Sequence, residues 1–464
     1  MYELINELDG DNIKLLINKF KHKYKISLIK EKIKIINKAK KENNYLSNHR
    51  PEISFGIRSL NDIKNLLSSN LGQLILEITE RCNQRCKYCS FSGRYLFKRA
   101  HGTKDISFET AKKAVDFFME RSEKSKNKKP NIGFYGGEPL LKFELIKRII
   151  DYIKYNNKFG RYRFSLTTNG TLLHKEIVDY LDKNDISITI SLDGPKNIHD
   201  RYRVFRNGKG TFDIIIKNIE RIKKYNCNYF KNNISFNVVM SPPYNIKDIL
   251  SFFYRNRLFE EIGDKFQFNS VDPYETTFFK DFNLEIYLRN FYKEVNKLRK
   301  NYKNSLIAGN YKDLTIEKKL FDENFYQIEY RPMEFLGKLY APQGACIPGQ
   351  RRLFIDINGR FFICERVGRN FEIGDVYNGF DYRKIYDFYE RYKDFFKSCK
   401  YCWALRLCLK CFNNIRRGEN FDERRRNQMC KIKLNSIKKD LITYCEIREK
   451  NPNAFKSFKY IKVM

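Results

Sequence analysis

The sequence predicts an α/β protein: a partial (β/α)6 barrel of parallel strands, with a small N-terminal helical module and a cysteine-rich C-terminal domain. Three observations carry this. Short apolar runs alternate with stretches of helical period across residues 70–275, the mark of parallel strands joined by helical crossovers. Polar, often glycine-containing loops follow these runs, as expected where a site sits at the carboxyl ends of barrel strands. The 12 cysteines of the 464-residue chain fall largely into two dense groups, Cys82–Cys89 and Cys346–Cys430.

In chain order, residues 1–69 read as the helical module. Leu4, Ile5, Leu8, Ile13, Leu15, Leu16 and Ile17 begin its apolar pattern, and 26–36 continue it with Lys interleaved. Arg50–Pro51 breaks the pattern. Residues 70–275 form the barrel, with strands expected at 74–78, 131–135, 163–168, 186–192, 234–240 and 266–271. Helices are expected after Ser107, which is placed to cap one, and at 143–155, 175–183, 212–225 and 246–253. Residues 276–345 form a helical bridge whose amphipathic stretch, 283–302, should pack on the barrel. Residues 346–464 make up the cysteine-rich domain, which opens on a hairpin around Asn358–Gly359. Cys227 reads as a buried small hydrophobe, and His101 as polar loop surface.

The first expected strand runs straight into Cys82, Cys86 and Cys89, spaced C-x3-C-x2-C. Three thiolates this close can ligate three irons of a cubane and leave the fourth open. A zinc site would want a fourth ligand, usually from a second C-x2-C knuckle, and none lies nearby. With Tyr88 as the aromatic of C-x3-C-x-aromatic-C, the stretch resembles the radical S-adenosylmethionine (SAM) superfamily. The resemblance implies a [4Fe-4S] cluster whose open iron binds the amino and carboxylate groups of SAM. One electron then splits the sulfonium and releases a 5′-deoxyadenosyl radical, while the protein supplies position and exclusion of water.

The loops after later strands fit that frame. In Gly136-Gly137-Glu138-Pro139 the glycines permit close backbone approach, and Glu138 can accept from the methionyl amino group; alone, the motif is a turn with a capping Glu. Thr168, Asn169, Ser191 and Asp193 offer hydroxyl, amide and carboxylate groups to the ribose or methionyl end. Arg203 resembles the arginine that pairs the SAM carboxylate, a task suited to a forked guanidinium. Arg201 and Arg206 are its rivals.

The second cysteine group reads C-x12-G-x4-C, then C-x2-C-x5-C-x2-C, then a last cysteine. It resembles the SPASM extension of radical SAM enzymes, with one spacing a residue shorter than usual. The resemblance implies two auxiliary [4Fe-4S] clusters, one on Cys399, Cys402, Cys408 and Cys430, the other on Cys346, Cys364 and Cys411. Three ligands leave an iron open to a substrate thiolate, unless Cys445 closes it. Glu365 follows Cys364 where related sulfatase-maturing enzymes carry a general base; a turn cap is the alternative.

Net charge is +35, from 90 Lys+Arg against 55 Asp+Glu. The basic residues are spread through the chain without an RNA-binding signature, so the charge speaks to solubility and steering rather than to a nucleic-acid partner. No run approaches a membrane span, and the first residues lack a secretory pattern. Dense cysteines in such a chain favour metal ligation in a reducing cytoplasm.

The resemblance implies a radical SAM/SPASM peptide maturase of the thioether-forming, cysteine-rich-peptide type. Its partners would be a cysteine-containing precursor and a flavodoxin- or ferredoxin-type reductant. The N-terminal helices resemble the helical half of the leader-binding module of such maturases, here a truncated element. Sulfatase maturation to formylglycine and RNA modification are the alternative activities.

Overall fold

Six parallel strands form where the apolar runs place them. The protein is described from a computed structural model covering residues 13–43, 50–125, 129–156, 162–314, 316–331, 337–344, 346–409 and 411–460. The strands are β1 (Gln73–Thr79), β2 (Asn131–Gly136), β3 (Arg163–Thr168), β4 (Ile186–Ser191), β5 (Ile234–Met240) and β6 (Phe266–Ser270), hydrogen-bonded in that order. All five pairings are parallel. Their inward residues, such as Leu76, Phe134, Leu166, Ile188, Ile190 and Phe236, are buried with one face of the covering helices. Strand β1 is buried on both faces and reads as a continuous apolar run, whereas β3, β4 and β5 alternate buried with partly exposed positions.

The crossover helices end close to their expected bounds. Ser107 caps α4 (Phe108–Glu123) by accepting from the Thr110 N–H. Residues Phe143–Asn156 (α5), Lys175–Lys183 (α6), Phe212–Tyr225 (α8) and Ile246–Arg255 (α10) follow, with a short α7 (Lys196–Tyr202) and α9 (Cys227–Asn233) between them. Earlier in the chain, α1 (Ile13–Phe20) and α2 (Ile26–Asn43) pack on a small core of their own, and α3 (Leu60–Ser69) begins on a Ser59–Asp62 capping box. Leu4, Ile5 and Leu8 lie outside the described residues.

The sheet does not stop at β1. Strand β7 (Arg352–Ile355) pairs in parallel with β1, Gln73 opposite Arg352 and Leu76 opposite Ile355. Then β8 (Arg360–Phe362), β9 (Glu372–Asp375) and β10 (Gly379–Phe380) continue antiparallel to make ten strands. The hairpin expected between Cys346 and Cys364 is therefore fused to the barrel edge. Its turn needs Gly359, at φ +80°.

Helix α11 (Leu284–Ala308) meets the barrel through Phe291, Val295 and Leu298, which pack with Ile246 and Leu250 of α10. Farther along, Tyr302 and Leu306 share a core with α12 (Ile316–Glu329) and with Ile447 of the long α14 (Glu423–Lys450). Helix α13 (Tyr382–Phe396) leads into the turn that carries Cys399. No helix among the described residues is long and apolar enough to cross a membrane.

Candidate active site

The loop after β1 is pinned by its neighbours before any cofactor is considered. The Arg85 N–H donates to Val204 O at 2.7 Å and the Lys87 N–H to Tyr202 O at 2.9 Å, so the Cys82–Cys89 segment lies against the strand-like run before Gly208. On its other side, Gly137 N–H donates to Thr79 O at 2.7 Å and Glu138 N–H to Arg81 O at 2.8 Å. Here the glycines serve the chain itself. A Cβ on Gly136 would stand 2.4 Å from Thr79 O, and one on Gly137 2.0 Å from Arg81 O. The close approach expected toward a ligand is thus made to the start of the cysteine loop.

The three thiols lie in one pocket and feel one another electrostatically. Burial pushes Cys82 and Cys86 up to about 12 and also raises Cys89. A buried thiolate needs donors and a cation beside it. The donors are present: Gln84 N–H at 3.4 Å from the Cys82 sulfur, Phe91 N–H at 3.4 Å from that of Cys89, and Arg203 Nη1 at 3.8 Å from that of Cys86. This donor set fits an iron–sulfur cluster. Among the described residues no three metal-binding side chains converge on a single ion; ligands of a cubane bind separate irons and stand farther apart.

The polar residues at the next strand ends form two interlocked groups. Glu138, fully buried, accepts from Thr168 Oγ1 at 2.8 Å, Asn169 N–H at 2.7 Å and Leu140 N–H at 3.1 Å. Burial nevertheless raises its carboxyl to about 7, those bonds opposing the shift. Asn169 Nδ2 also reaches Asn83 Oδ1 at 2.8 Å and lies 4.0 Å from the Cys82 sulfur. In the second group Asp193 takes the Arg203 Nε–H at 3.0 Å, the Val239 N–H at 3.0 Å and the Tyr88 hydroxyl. Asp193, read as a ligand group, therefore spends its carboxylate holding Arg203 and Tyr88. Ser191 ends β4 beside them, buried. Of the rival arginines, Arg206 is exposed and Arg201 half-buried, while Arg203 is buried and aimed at Cys86.

Part of the second cysteine group comes together. Burial raises Cys364 to about 12, with Glu365 and Cys411 adding to the rise. Cys346 is raised by burial and then by Cys411. Cys411 is thus within electrostatic reach of both Cys346 and Cys364. Cys399 and Cys402 lie on one tight turn, where Cys402 N–H donates to Cys399 O at 3.0 Å. Cys430 sits on α14, one turn after Arg426, whose guanidinium donates to Phe395 O near that turn at 2.7 Å. Cys408 is half-buried. Cys445 is exposed farther along α14.

Glu365 is not a loose carboxylate. Arg352 Nη1 donates to both of its oxygens at 3.1 Å, with Arg366 at 3.8 Å. Two expectations change. Cys227 is exposed, its thiol donating to Glu261 at 3.1 Å, because it opens the surface helix α9. His101 is half-buried beside the cysteine loop, and burial, then Arg85 and Arg99, bring it down to about 4. Lys98 and Tyr135 had no motif to announce them. Lys98, lowered by burial, feels both Cys364 and Cys89, and Tyr135, raised by burial, feels Glu365 and Cys89.

A parallel partial barrel with three donor-supplied thiols after its first strand defines a class, and residues 76–253 match the model of the radical SAM superfamily. That segment is a radical SAM domain. The chain is 31% identical over 219 residues to the radical SAM cyclopropyl synthase TigE of Paramaledivibacter caminithermalis, covering 45% of this chain and 43% of that protein. It is 30% identical over 163 residues to a cysteine-type anaerobic sulfatase-maturating enzyme of Clostridium novyi, covering 34% and 42%. The chain spans about half or less of the curated relatives it matches. In fold it resembles a solved structure described as native anSMEcpe with bound AdoMet and Cp18Cys peptide. The TM-score is 0.58 at 20% identity, covering 84% of this chain and 99% of that one.

Proposed function

We propose that the chain is a radical SAM enzyme that modifies a ribosomally made, cysteine-containing peptide, and that its product is a thioether cross-link. Cys82, Cys86 and Cys89 would hold the cluster that binds SAM. Arg203, fixed by Asp193, would face the SAM carboxylate. Glu138 would face the amino group, with Thr168, Asn169 and Ser191 alongside. Together the cluster and SAM supply the oxidant that removes a substrate hydrogen. The chain's own groups orient SAM and bury the reacting centre.

The observation that carries the peptide reading is the second set of thiols, joined to the first through a shared sheet. A peptide thiol placed near Cys346, Cys364 and Cys411 can be held by an iron lacking a fourth protein ligand. Exposed Cys445 has no neighbouring cysteine among the groups that shift its thiol, which favours an open iron. Such a set also accepts the surplus electron, and a flavodoxin- or ferredoxin-type protein would supply the starting one. The relatives named as sulfatase-maturating enzymes favour a second reading, formylglycine formation; a relative named as a cyclopropyl synthase favours carbon–carbon closure.

The deciding experiment incubates anaerobically reconstituted enzyme with a candidate cysteine-rich precursor, SAM and a reductant. A product lighter by two hydrogens that has also lost one alkylatable thiol per link is expected. The same mass loss with every thiol still alkylatable assigns ring closure, and an aldehyde on a sulfatase-derived peptide assigns formylglycine. Either result ends the thioether reading.

A further inference from the structure

Helix α13 carries two tyrosines one turn apart with opposite fates. The Tyr389 hydroxyl is within 3.1 Å of Ser54 Oγ and accepts the Phe55 N–H at 3.1 Å. Tyr392 is 2% exposed, and its hydroxyl has no hydrogen-bond partner among the described residues. Its ring is clamped by Phe396 at 4.6 Å, Phe421 at 5.9 Å and Phe55 at 6.1 Å, so the hydroxyl cannot swing to solvent. A buried donor left unmade is costly, and in a native protein it calls for a partner.

The groups facing this hydroxyl identify the partner. Its ionisation is opposed first by burial, then by Cys399, Cys411, Cys346 and Cys408. Those four thiols belong to both C-terminal sets, and Cys399 and Cys364, one from each, pack against the core that contains Tyr392. Aromatic rings line this part of the core. Sulfur in a reduced iron–sulfur cluster is a good acceptor in such a dry place, and hydrogen bonds to cluster sulfur raise the reduction potential by stabilising the more negative state.

We propose that Tyr392 donates a hydrogen bond to a sulfur of an auxiliary cluster at the junction of the two cysteine sets, setting that cluster's potential. It is a positioning residue, touching no peptide substrate. The inference rests on the auxiliary-cluster reading, and the two fail separately.

The test is a redox titration of full-length, anaerobically reconstituted Tyr392→Phe, followed by electron paramagnetic resonance, with Tyr389→Phe as control. At an unchanged iron content of about twelve per chain, one auxiliary midpoint should move to more negative potential in Tyr392→Phe. The SAM-cluster midpoint should stay in place, and Tyr389→Phe should move neither. Should Tyr392→Phe load poorly, 3-fluorotyrosine at position 392 keeps the shape and strengthens the donor, so the midpoint should move the other way. Midpoints unmoved by either replacement at full iron content overturn the role of Tyr392. Iron near four per chain with stoichiometric zinc overturns the cluster reading beneath it.

Discussion

Replacing Glu77 by Gln should loosen both halves of the molecule together. Glu77 lies in mid-β1 at 0% exposure. One oxygen takes the Arg99 Nε–H at 2.6 Å, and the other takes Arg369. Arg99 follows Cys82, Cys86 and Cys89, its guanidinium 3.8 Å from the Phe91 ring centroid. Arg369 follows Cys364 and stacks at 4.9 Å over Phe354 and 5.1 Å over Phe362. Removing one partner of a buried pair costs about 3–5 kcal/mol, because the remaining charge is stranded. Arg369 keeps a second carboxylate, Asp356, at 3.9 Å. Among the described residues Arg99 has ion pairs with Glu77 alone. The loss should therefore fall mainly on Arg99, at about 3 kcal/mol, a large share of a stability of roughly 5–15 kcal/mol. Urea unfolding of the metal-free chain by circular dichroism reads the stability, and iron retained after gel filtration reads the loops. In Glu77→Gln paired with Arg369→Met, the combined loss should be smaller than the sum of the two, since the pair is coupled. A Glu77→Gln protein within about 0.5 kcal/mol of wild type, a change typical of an ordinary surface position, and holding full iron refutes this reasoning.

Three further outcomes are expected. Arg203→Lys loses the fork that grips Asp193, and at about 1.5–3 kcal/mol for a charged hydrogen bond SAM binding should weaken roughly ten- to hundredfold by calorimetry. Glu138 has a folded-state value of about 7, above its unfolded one, so its ionisation destabilises the metal-free chain as pH rises from the unfolded value through 7. SAM, whose ammonium needs the carboxylate, should bind more tightly over the same rise, and an affinity flat across pH 6–8 would count against that contact. Glu365→Gln, if Glu365 receives a substrate proton, should keep SAM cleavage while product falls by about 10²–10⁴; a purely structural tie would lower iron content and leave product per loaded enzyme unchanged.

The barrel was legible because helix-facing apolar residues recur at every second position of β3, β4 and β5, and because α4 begins on a recognisable cap, Ser107. The spacing of Cys82, Cys86 and Cys89 marked them as candidate ligands, and the structure brings their thiols within electrostatic reach of one another. What escaped was whatever depends on pairing distant segments. Glu77 stands in LILEIT as one charge among aliphatics, and nothing local says that Arg99 and Arg369 meet there. Asp193 looked like a ligand group, since its grip on Arg203 and Tyr88 depends on three loops converging. Gly136 and Gly137 were recognisable as sites of close approach, while what they approach, the backbone at Thr79 and Arg81, follows from the parallel register of β1 and β2. Cys227 misled because a cysteine's burial depends on the face of the helix it lands on.

The edge pairing of β1 with β7 decides where the second cysteine group meets the barrel. Strand β1 delivers Cys82, Cys86 and Cys89 beyond its carboxyl end. Strand β7 runs beside it in the same direction, and β8 returns antiparallel, with Phe362 opposite Phe354. That return carries Cys364 and Glu365 back toward the amino end of β1, where Arg352, the partner of Glu365, also donates to Gln73 at 2.8 Å. The two cysteine systems therefore lie toward opposite ends of one strand. Lys98 feels Cys364 and Cys89, and Tyr135 feels Glu365 and Cys89, so both side chains are within electrostatic reach of each end. A peptide whose carbon is attacked from one end and whose thiol is held at the other must cross between them. In the proposed reaction Lys98, Tyr135 and Glu365 would be the side chains it passes, and the length of β1 would set how far apart the carbon and the sulfur start.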